Sequence, residues 1–427
     1  MPPEQTAPRT RPDLCPGVLA LHQAADGGLA RIRLPGGVLT AAQLRLLAQL
    51  ATDLGDGAME LTSRANLQLR GLGPDAAPIL SQALYDAGLL PSITHERVRN
   101  IIASPLSGLD PLSTYDVLPV AAELDRLLCA DPALAELPGR FLFTLDDGRG
   151  DLGTIHSDLG VRAVDKTTAE LLLAGTETGA RIPWADVPAV LVAAADAFLA
   201  ERTARASTAW RLAELPDGVD AILASIPLTG VHSSHFVVPV DNRSGARRQS
   251  GDRVVHRNHE MRRMNAQGGG GVGVHRQSDG AAAVVAVVPL GRLMPNQAAV
   301  VAELANSSAG SLRITPWRSV VVPDLLADPR ERLDAAGLLT DARSAWIGMT
   351  ACAGRPGCAR ALADVRADAT RALAVLPAGR AVHWSGCERR CGRPDGAIDV
   401  VATGNGYEVD GSAAPDVAAA VAARRTQ

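Results

Sequence analysis

The chain has 427 residues, of which 47% are hydrophobic, and a formal net charge of −4 at pH 7. That length predicts two or three domains, and the weakly acidic balance argues against a nucleic-acid partner. No charge-free apolar run of about 18 residues occurs, so we expect no membrane span. The first residues lack the apolar core of a secretory signal, and six cysteines are too few for a disulfide framework. We therefore expect a cytoplasmic protein.

The first predicted elements of the chain return later in the sequence. Residues 17–72 and 271–325 both read as strand, glycine turn and apolar strand, followed by an Ala/Leu-rich helix and a further strand. The recurring landmarks, taken as pairs, are Pro35 with Pro289, Gly37 with Gly291, Thr62 with Thr315 and Arg64 with Arg318. A single repeat of this kind indicates a pseudo-twofold protein with a site between its halves.

We therefore predict an α+β fold with an internal duplication. The strand–strand–helix–strand order at 15–75 and 271–325 predicts two ferredoxin-like half-domains. Residues 90–215 and 340–410 mix apolar strands with helices and predict two larger α+β units. The stretch 216–270, rich in Gly, Arg and His, is predicted to be the linker between the halves.

Four of the six cysteines lie close together near the end of the chain. They are spaced C-x5-C, then 28 residues, then C-x3-C, at Cys352, Cys358, Cys387 and Cys391. The pattern from Ala359 to Val375 predicts a helix. This helix would place Cys358 at its N-terminus, where the helix dipole favours a thiolate.

Three chemistries could use these thiols. A zinc site usually takes C-x2–4-C pairs, so C-x5-C is wide for it, and two disulfides do not suit a cytoplasmic protein. An iron–sulfur cluster tolerates looser spacing, and the Gly and Pro residues of the loops let backbone N–H groups approach the sulfides. The spacing favours the cluster and leaves the other two chemistries open.

The cysteine pattern, at the end of a duplicated α+β chain, resembles that of the sirohaem-dependent sulfite and nitrite reductase family. The resemblance spans about residues 15–410. It implies a [4Fe–4S] cluster bound by Cys352, Cys358, Cys387 and Cys391. It also implies that Cys391 is the axial thiolate that bridges this cluster to the iron of sirohaem.

Three short motifs resemble anion-binding strands of the same family. LTSRANLQL resembles its T-x-R strand and places Arg64 at the sirohaem pocket. RNI makes Arg99 a second pocket arginine, and LPGRFLF places Arg140 where the family has a lysine. Fixed cations beside an iron centre hold an anionic cofactor or substrate, so we expect these three arginines to be the catalytic residues.

At two positions the sequence departs from the reductase pattern, and these departures are similar to the sequence of one branch of the family. Leu142 stands where the reductases carry Lys or Asn, and Arg389 stands where they usually carry Asn. With the stretch AWRLAEL at 209–215, these departures resemble the precorrin-3B synthases. The resemblance implies that O2 and two electrons hydroxylate a tetrapyrrole, precorrin-3A, at C20, with closure of a γ-lactone.

The electrons would come from an external donor such as ferredoxin or a flavoprotein, because no convincing dinucleotide-binding fingerprint occurs. Two alternatives stay open. One is reduction of sulfite or nitrite at the same sirohaem and cluster. The other is a tetrathiolate zinc protein with a scaffold role and no catalytic activity.

Overall fold

The structure is a computed structural model that describes residues 15–227, 271–277 and 279–426. Its strands build four five-stranded sheets, which are named here after the predicted units: the small sheets belong to the half-domains and the large sheets to the larger α+β units. Within these ranges no helix combines the length and the apolar character that crossing a membrane requires. The predicted α+β class and the internal duplication are confirmed.

The described strands of the first half are, in chain order, β1 (His22–Ala24), β2 (Gly27–Ile32), β3 (Val38–Thr40), β4 (Met59–Leu61), β5 (Leu67–Leu72), β6 (Ile101–Ala103), β7 (Phe143–Asp146), β8 (Leu159–Ala163), β9 (Thr168–Leu173) and β10 (Thr176–Pro183). Those of the second half are β11 (Gly273–Arg276), β12 (Ala282–Val287), β13 (Arg292–Leu293), β14 (Ser311–Ile314), β15 (Ser319–Leu325), β16 (Met349–Ala351), β17 (Val382–Ser385), β18 (Ile398–Thr403), β19 (Gly406–Val409) and β20 (Ser412–Ala413).

The described α-helices are α1 (Ala41–Leu54), α2 (Ala76–Asp86), α3 (Leu118–Ala130), α4 (Val187–Ala204), α5 (Gly218–Ser225), α6 (Pro295–Asn306), α7 (Arg330–Ala335), α8 (Val365–Ala372) and α9 (Val417–Arg425). Helix α1 begins with a capping box, because Thr40 and Gln43 each bind the other's backbone N–H. It buries Leu44 and Leu47 on one face. Helix α6 begins with proline at its first position, where the missing N–H costs no hydrogen bond.

Each small sheet takes one edge strand from the other half of the chain. The strand orders are β1–β2–β5–β4–β13 and β11–β12–β15–β14–β3, and all neighbours are antiparallel. Arg292 of β13 pairs with Glu60 of β4, and Val38 of β3 pairs with Arg313 of β14. Helices α1 and α6 pack together beneath both sheets, so the two half-domains share one hydrophobic core.

The two large sheets have the same connectivity. One has the order β10–β9–β8–β7–β6 and the other β16–β17–β18–β19–β20. In each, the first three strands along the chain pair with one another in parallel. Each of the last two pairs antiparallel with the strand before it. The carboxyl ends of neighbouring parallel strands share one sheet edge. Loops that follow the first two strands of each large sheet therefore meet there.

Two of the predicted unit boundaries differ from the structure. Within the predicted linker 216–270, helix α5 packs Ile222 into the core of the first large sheet, and residues 228–270 lie outside the described residues. Beyond residue 410, helix α9 buries Val421 against the second large sheet. Both helices are short, so their apolar periodicity spans too few turns to stand out in the sequence.

Candidate active site

Two cysteines occupy the edge where the parallel strands of the second large sheet end. Cys352 directly follows β16, and its N–H donates to Trp384 O at 2.9 Å, which continues the pairing with β17. Cys387 lies two residues beyond β17. The N–H of the intervening Gly386 donates to Cys352 Sγ at 3.1 Å, so the backbone already supplies one hydrogen bond that stabilises a thiolate.

The loop after β16 carries Cys358 in a turn. The N–H of Cys358 donates to Gly354 O at 2.8 Å. Helix α8 begins only at Val365, with Asp364 as its side-chain N-cap. The prediction of a helix from Ala359, with Cys358 at its N-terminus, was therefore wrong. Asp364 was the missed signal, because an N-cap aspartate begins a helix at the residue that follows it.

The four thiols face one another. Burial raises the pKa of Cys391, the charges of Cys352 and Cys387 raise it further, and Arg389 opposes them. Cys391 is the exposed member of the set, whereas the other three are half-buried. All four line a cavity of about 510 Å³, together with β1, Leu29 and Arg70.

The spacing of these sulfurs distinguishes between metals. A zinc ion with thiolates at about 2.3 Å needs sulfurs only about 3.8 Å apart. Within the described residues, the side chains that bring three metal-binding atoms within 4.8 Å of one another are aspartates, so no three cysteine sulfurs lie that close. A cubane cluster, in which each thiolate binds a different iron atom, accepts the wider arrangement.

Side chains of the first small sheet hold the cysteine loops from the opposite side. Arg70 binds Asp26 through two hydrogen bonds of 2.9 Å and donates to Gly357 O at 2.6 Å. Arg366, from α8, binds Glu60 at 2.5 Å and donates to Cys352 O at 3.3 Å. These contacts fix the polar face of the first small sheet against the loops that carry the thiols.

A buried histidine supports the backbone of Cys391. His383 Nε2 lies 3.2 Å from Cys391 O, and Nδ1 lies 2.8 Å from Thr350 Oγ1. Burial, and then the charge of Arg318, lower the pKa of His383 to about 4. The ring is therefore neutral near pH 7. Because a carbonyl oxygen only accepts, Nε2 carries the proton and Nδ1 is the acceptor for the threonine hydroxyl.

Arg31, Arg33 and Arg64 form a cationic cluster next to the polar face of the first small sheet, in which Arg33 is buried and the other two are half-buried. Burial, and then the charge of Arg31, lower the pKa of Arg33 to about 9, and burial with the charge of Arg211 lowers that of Arg64 to about 10. Arg33 Nη1 and Arg31 Nε are buried and have no hydrogen-bond partner among the described residues. A guanidinium stays protonated in proteins, so the lowered pKa values show that these charges are buried at a cost in free energy. A bound anion would offset that cost.

Of the other two predicted arginines, Arg140 lies at the exposed edge of this cluster, close enough for its charge to lower the pKa of Arg31, and Arg99 lies elsewhere. Arg140 is exposed, and its guanidinium carbon lies 5.1 Å from the centre of the Trp210 ring. Arg99 binds both oxygens of Asp125, at 2.7 and 2.6 Å, and donates to Leu89 O. The prediction that Arg99 faces the pocket therefore differs from the structure, because a carboxylate of α3 engages its guanidinium.

Arg31 and Arg33 were missed in the sequence, although a signal was present. In LARIRLPG the two arginines alternate with apolar residues, and alternate positions of a strand share one face. Ile32 and Leu34 occupy the other face and are buried in the core. A strand with a buried apolar face and two arginines opposite therefore predicted a cationic surface.

The tight turn that carries Arg64 has a counterpart in the second half. The N–H of Arg64 donates to Thr62 Oγ1 at 3.3 Å, and that of Trp317 donates to Thr315 Oγ1 at 3.2 Å. The next residue in each turn has a positive φ, 55° at Ala65 and 58° at Arg318. The counterpart of Arg64 is therefore Trp317, and the predicted pairing of Arg64 with Arg318 was wrong by one residue.

Leu142 lies in a small apolar cluster. It is buried with Ile102 and Leu152, and Ile155 and Trp317 pack against them. The position at which a lysine or asparagine was expected for anion reduction therefore contributes apolar packing beside the turn of Trp317.

Comparison with known proteins agrees with this architecture. The family model of the nitrite/sulfite reductase ferredoxin-like half domain matches residues 22–87 and again residues 275–336. A precorrin-3B synthase from Sinorhizobium is 28% identical over 420 residues, which cover 94% of this chain and 83% of that protein. The chloroplastic ferredoxin–nitrite reductase of Arabidopsis thaliana is 26% identical over 86% of this chain, which spans 65% of that enzyme.

A solved structure extends the agreement to the whole fold. The NirA protein of Mycobacterium tuberculosis superposes with a TM-score of 0.68 at 22% identity, covering 90% of this chain and 73% of that one. The chain therefore has the fold of NirA and carries the nitrite/sulfite reductase ferredoxin-like half domain twice. The chain is similar to nitrite and sulfite reductases in its two half-domains, and over nearly its whole length it is similar to precorrin-3B synthase.

Proposed function

We propose that this chain is an iron–sulfur oxidoreductase that acts on a carboxylated tetrapyrrole. Its proposed reaction is conversion of precorrin-3A to precorrin-3B, by hydroxylation at C20 and closure of a γ-lactone with O2 and two electrons. The observation that carries this proposal is the combination of four convergent thiols with an arginine cluster that makes no ion pair among the described residues. Similarity to the Sinorhizobium precorrin-3B synthase supports the choice of substrate.

In this proposal Cys352, Cys358, Cys387 and Cys391 would hold a [4Fe–4S] cluster, and Cys391 would also be a ligand of sirohaem. The donor set fits a cluster, because the sulfurs are too widely spaced for one zinc ion. Cys391 is exposed, so its sulfur is accessible to a second metal centre. When bound, these groups would supply electron transfer from an external donor, such as ferredoxin or a flavoprotein, and the activation of O2.

In this proposal the chain's own arginines bind and orient the substrate. Arg31, Arg33 and Arg64 would each offer guanidinium N–H groups to carboxylates of the tetrapyrrole, in a site that excludes water. Arg140, at the exposed end of the cluster, would meet a carboxylate that remains partly solvated. Such fixed contacts would orient the ring so that one carbon faces the oxidant.

Reduction of sulfite or nitrite is the second candidate function, because the chain is also similar to ferredoxin–nitrite reductases. Leu142 separates the two candidates. A buried leucine in an apolar cluster cannot donate a proton to a small anion. Of the two candidates, the tetrapyrrole reaction is the one that an apolar wall suits. The sulfur spacing likewise argues against the zinc scaffold.

Oxygen-free assays on protein with its cluster test the proposed function. With precorrin-3A, a reduced donor and then O2, we expect oxygen uptake and a product heavier than precorrin-3A by one oxygen atom. With sulfite or nitrite and the same donor, we expect no stoichiometric sulfide or ammonia. Rapid formation of either, without any oxygenation of the tetrapyrrole, would replace this function with the reductase activity.

A further inference from the structure

A row of polar side chains crosses the three parallel strands of the second large sheet. Thr350 of β16 pairs in register with His383 of β17, which pairs with Asp399 of β18. Thr350 Oγ1 lies 2.8 Å from His383 Nδ1 and so fixes the orientation of the ring. His383 and Asp399 are both buried. Because buried polar groups are costly unless they have partners, the other contacts of this row indicate its role.

The row supports the loop that carries Cys391. His383 Nε2 lies 3.2 Å from Cys391 O, to which it donates its proton. Asp399 accepts a hydrogen bond from Nε of Arg390, the residue before Cys391. The other carboxylate oxygen of Asp399 lies 3.7 Å from Nε of Arg393. Side chains of two neighbouring strands therefore hold this loop just before Cys391, at its carbonyl group and two residues beyond it.

The backbone on both sides of Cys391 has a left-handed conformation. The φ angle is 49° at Arg390 and 79° at Gly392. Such a conformation is disfavoured for arginine, which has a Cβ, and it persists where the surrounding structure holds it. Cys391 is also the exposed member of the four thiols, so packing around its own side chain does little to fix Sγ. The contacts of the polar row therefore supply much of what holds Cys391 in place.

The corresponding row of the first large sheet has a different composition. Ile102, Thr144 and Gly160 pair in register at the matching positions of β6, β7 and β8. None of these three side chains is ionisable, and Ile102 belongs to an apolar cluster. The same sheet topology therefore forms without the polar row, so the fold itself does not require it. The polar row occurs in the half of the chain that carries the four thiols, which links it to them.

We propose that Thr350, His383 and Asp399 are positioning residues that fix Cys391 and so set how firmly its thiolate holds the adjacent iron of the cluster. The row acts through Cys391 and not on the reacting atoms. This inference rests on the function proposed above for the presence of the cluster. In that function Cys391 is also the ligand shared with sirohaem, so the same contacts fix the two metal centres relative to each other.

The test uses protein purified with its cluster. Mild oxidation with ferricyanide removes the most weakly held iron and leaves a three-iron cluster, whose electron paramagnetic resonance signal the intact oxidised cluster lacks. His383→Leu removes the N–H that binds Cys391 O, so we expect this signal to form about fivefold faster than in the wild type, as loss of one hydrogen bond predicts. His383→Gln offers an amide N–H to the same oxygen and restores most of the wild-type rate.

Thr144→Val is the matched control, because it alters the buried polar side chain at the corresponding position of the other large sheet and leaves the rate unchanged. Circular dichroism verifies the fold of each variant. If His383→Leu does not fold, Asp399→Asn, which weakens the hold on Arg390, decides in its place. Wild-type rates in these variants, or equal rates in His383→Leu and His383→Gln, would overturn the positioning role and leave the proposed function intact. Wild-type protein that holds no cluster would overturn both.

Discussion

The two large sheets end in loops of the same connectivity but opposite chemistry. Ser104 follows β6 as Cys352 follows β16, and the N–H of each donates to a carbonyl of the neighbouring strand, at 3.0 and 2.9 Å. In the first half the space beyond these strands holds Arg149, which is 3% exposed. Its guanidinium binds Asp147 and Asp151, each at 3.0 Å, and these carboxylates raise its pKa.

The small sheets repeat this contrast on a larger surface. Corresponding rows of paired residues cross the two sheets on one face, and they read Arg31, Gln68, Glu60 and Arg292 in the first and Val285, Val321, Arg313 and Val38 in the second. The second row is covered by the chain itself, because Val285 and Val321 pack against Leu106 and Leu109. Arg313 donates to two carbonyl oxygens of the same segment. The first row faces the cysteine loops and is polar.

This comparison teaches how a duplicated fold separates stability from function. In the first half, Arg149 supplies a counter-charge to the carboxylates of a buried acidic centre. In the second half, four thiols line one cavity, and the arginine cluster of the first half makes no ion pair among the described residues. A positively charged metal cluster and a polycarboxylate would supply the two missing partners.

The largest expected effect is on the thiol centre. Cys387→Ser removes one of the four proposed ligands, and we expect loss of nearly all cluster iron and of all electron-transfer activity. Iron and acid-labile sulfide per chain measure the result. Cys129→Ser, at a half-buried thiol on α3, is the control and keeps its iron. Full iron content in Cys387→Ser would remove that residue from the ligand set.

The second-largest expected effect is on the stability of the acidic centre in the first half. Arg149→Met leaves Asp147 and Asp151 buried without a counter-charge, so we expect the first half to lose about 3–5 kcal/mol of unfolding free energy. Urea denaturation followed by far-UV circular dichroism measures the loss. In the control Arg126→Met, whose ion pair with Glu123 is exposed, the midpoint stays unchanged. Equal midpoints for both variants would contradict a structural role for Arg149.

A smaller effect concerns the approach of the two cysteine loops. A Cβ on Gly386 would lie 2.8 Å from the Cβ of Ala361, so Gly386→Ala pushes the loops apart. We expect a cost of about 1–3 kcal/mol and severalfold faster loss of iron to a chelator. Gly404→Ala is the control, because a Cβ there meets no atom within 4 Å. Identical chelation rates for the two variants would show that the close approach does not matter.

The smallest effect is a pH dependence in the acidic centre. Burial raises the pKa of Asp151 to about 7, although Arg149 opposes the shift. An acid whose folded-state pKa exceeds its unfolded value of about 3.9 stabilises the fold at low pH and loses that contribution as pH rises. The stability of the wild type relative to Asp151→Asn should therefore fall between about pH 4 and 7, by at most about 1.4 kcal/mol per pH unit. A difference that is constant with pH would contradict the shift.

The parts of this account that were predictable from sequence are those that depend on local pattern. The strands of the duplicated half-domains alternate with a period of two, and the cysteines follow short apolar strands, so both could be located. The side-chain partners could not. Arg99 and Asp125 meet across a loop and a helix, and no local pattern indicates that pairing. The turn of Arg64 was matched to its repeat one residue out of register, because only the backbone shows that Ala65 and Arg318 share a positive φ.

Iron and acid-labile sulfide in wild-type protein purified without oxygen, together with its electron paramagnetic resonance spectrum after reduction, test the central claim most directly. The account predicts at least four irons and four sulfides per chain, as a [4Fe–4S] cluster requires, and a signal that the Cys387→Ser variant lacks. Protein from iron-replete cells that holds zinc at these thiols and contains no labile sulfide would contradict it.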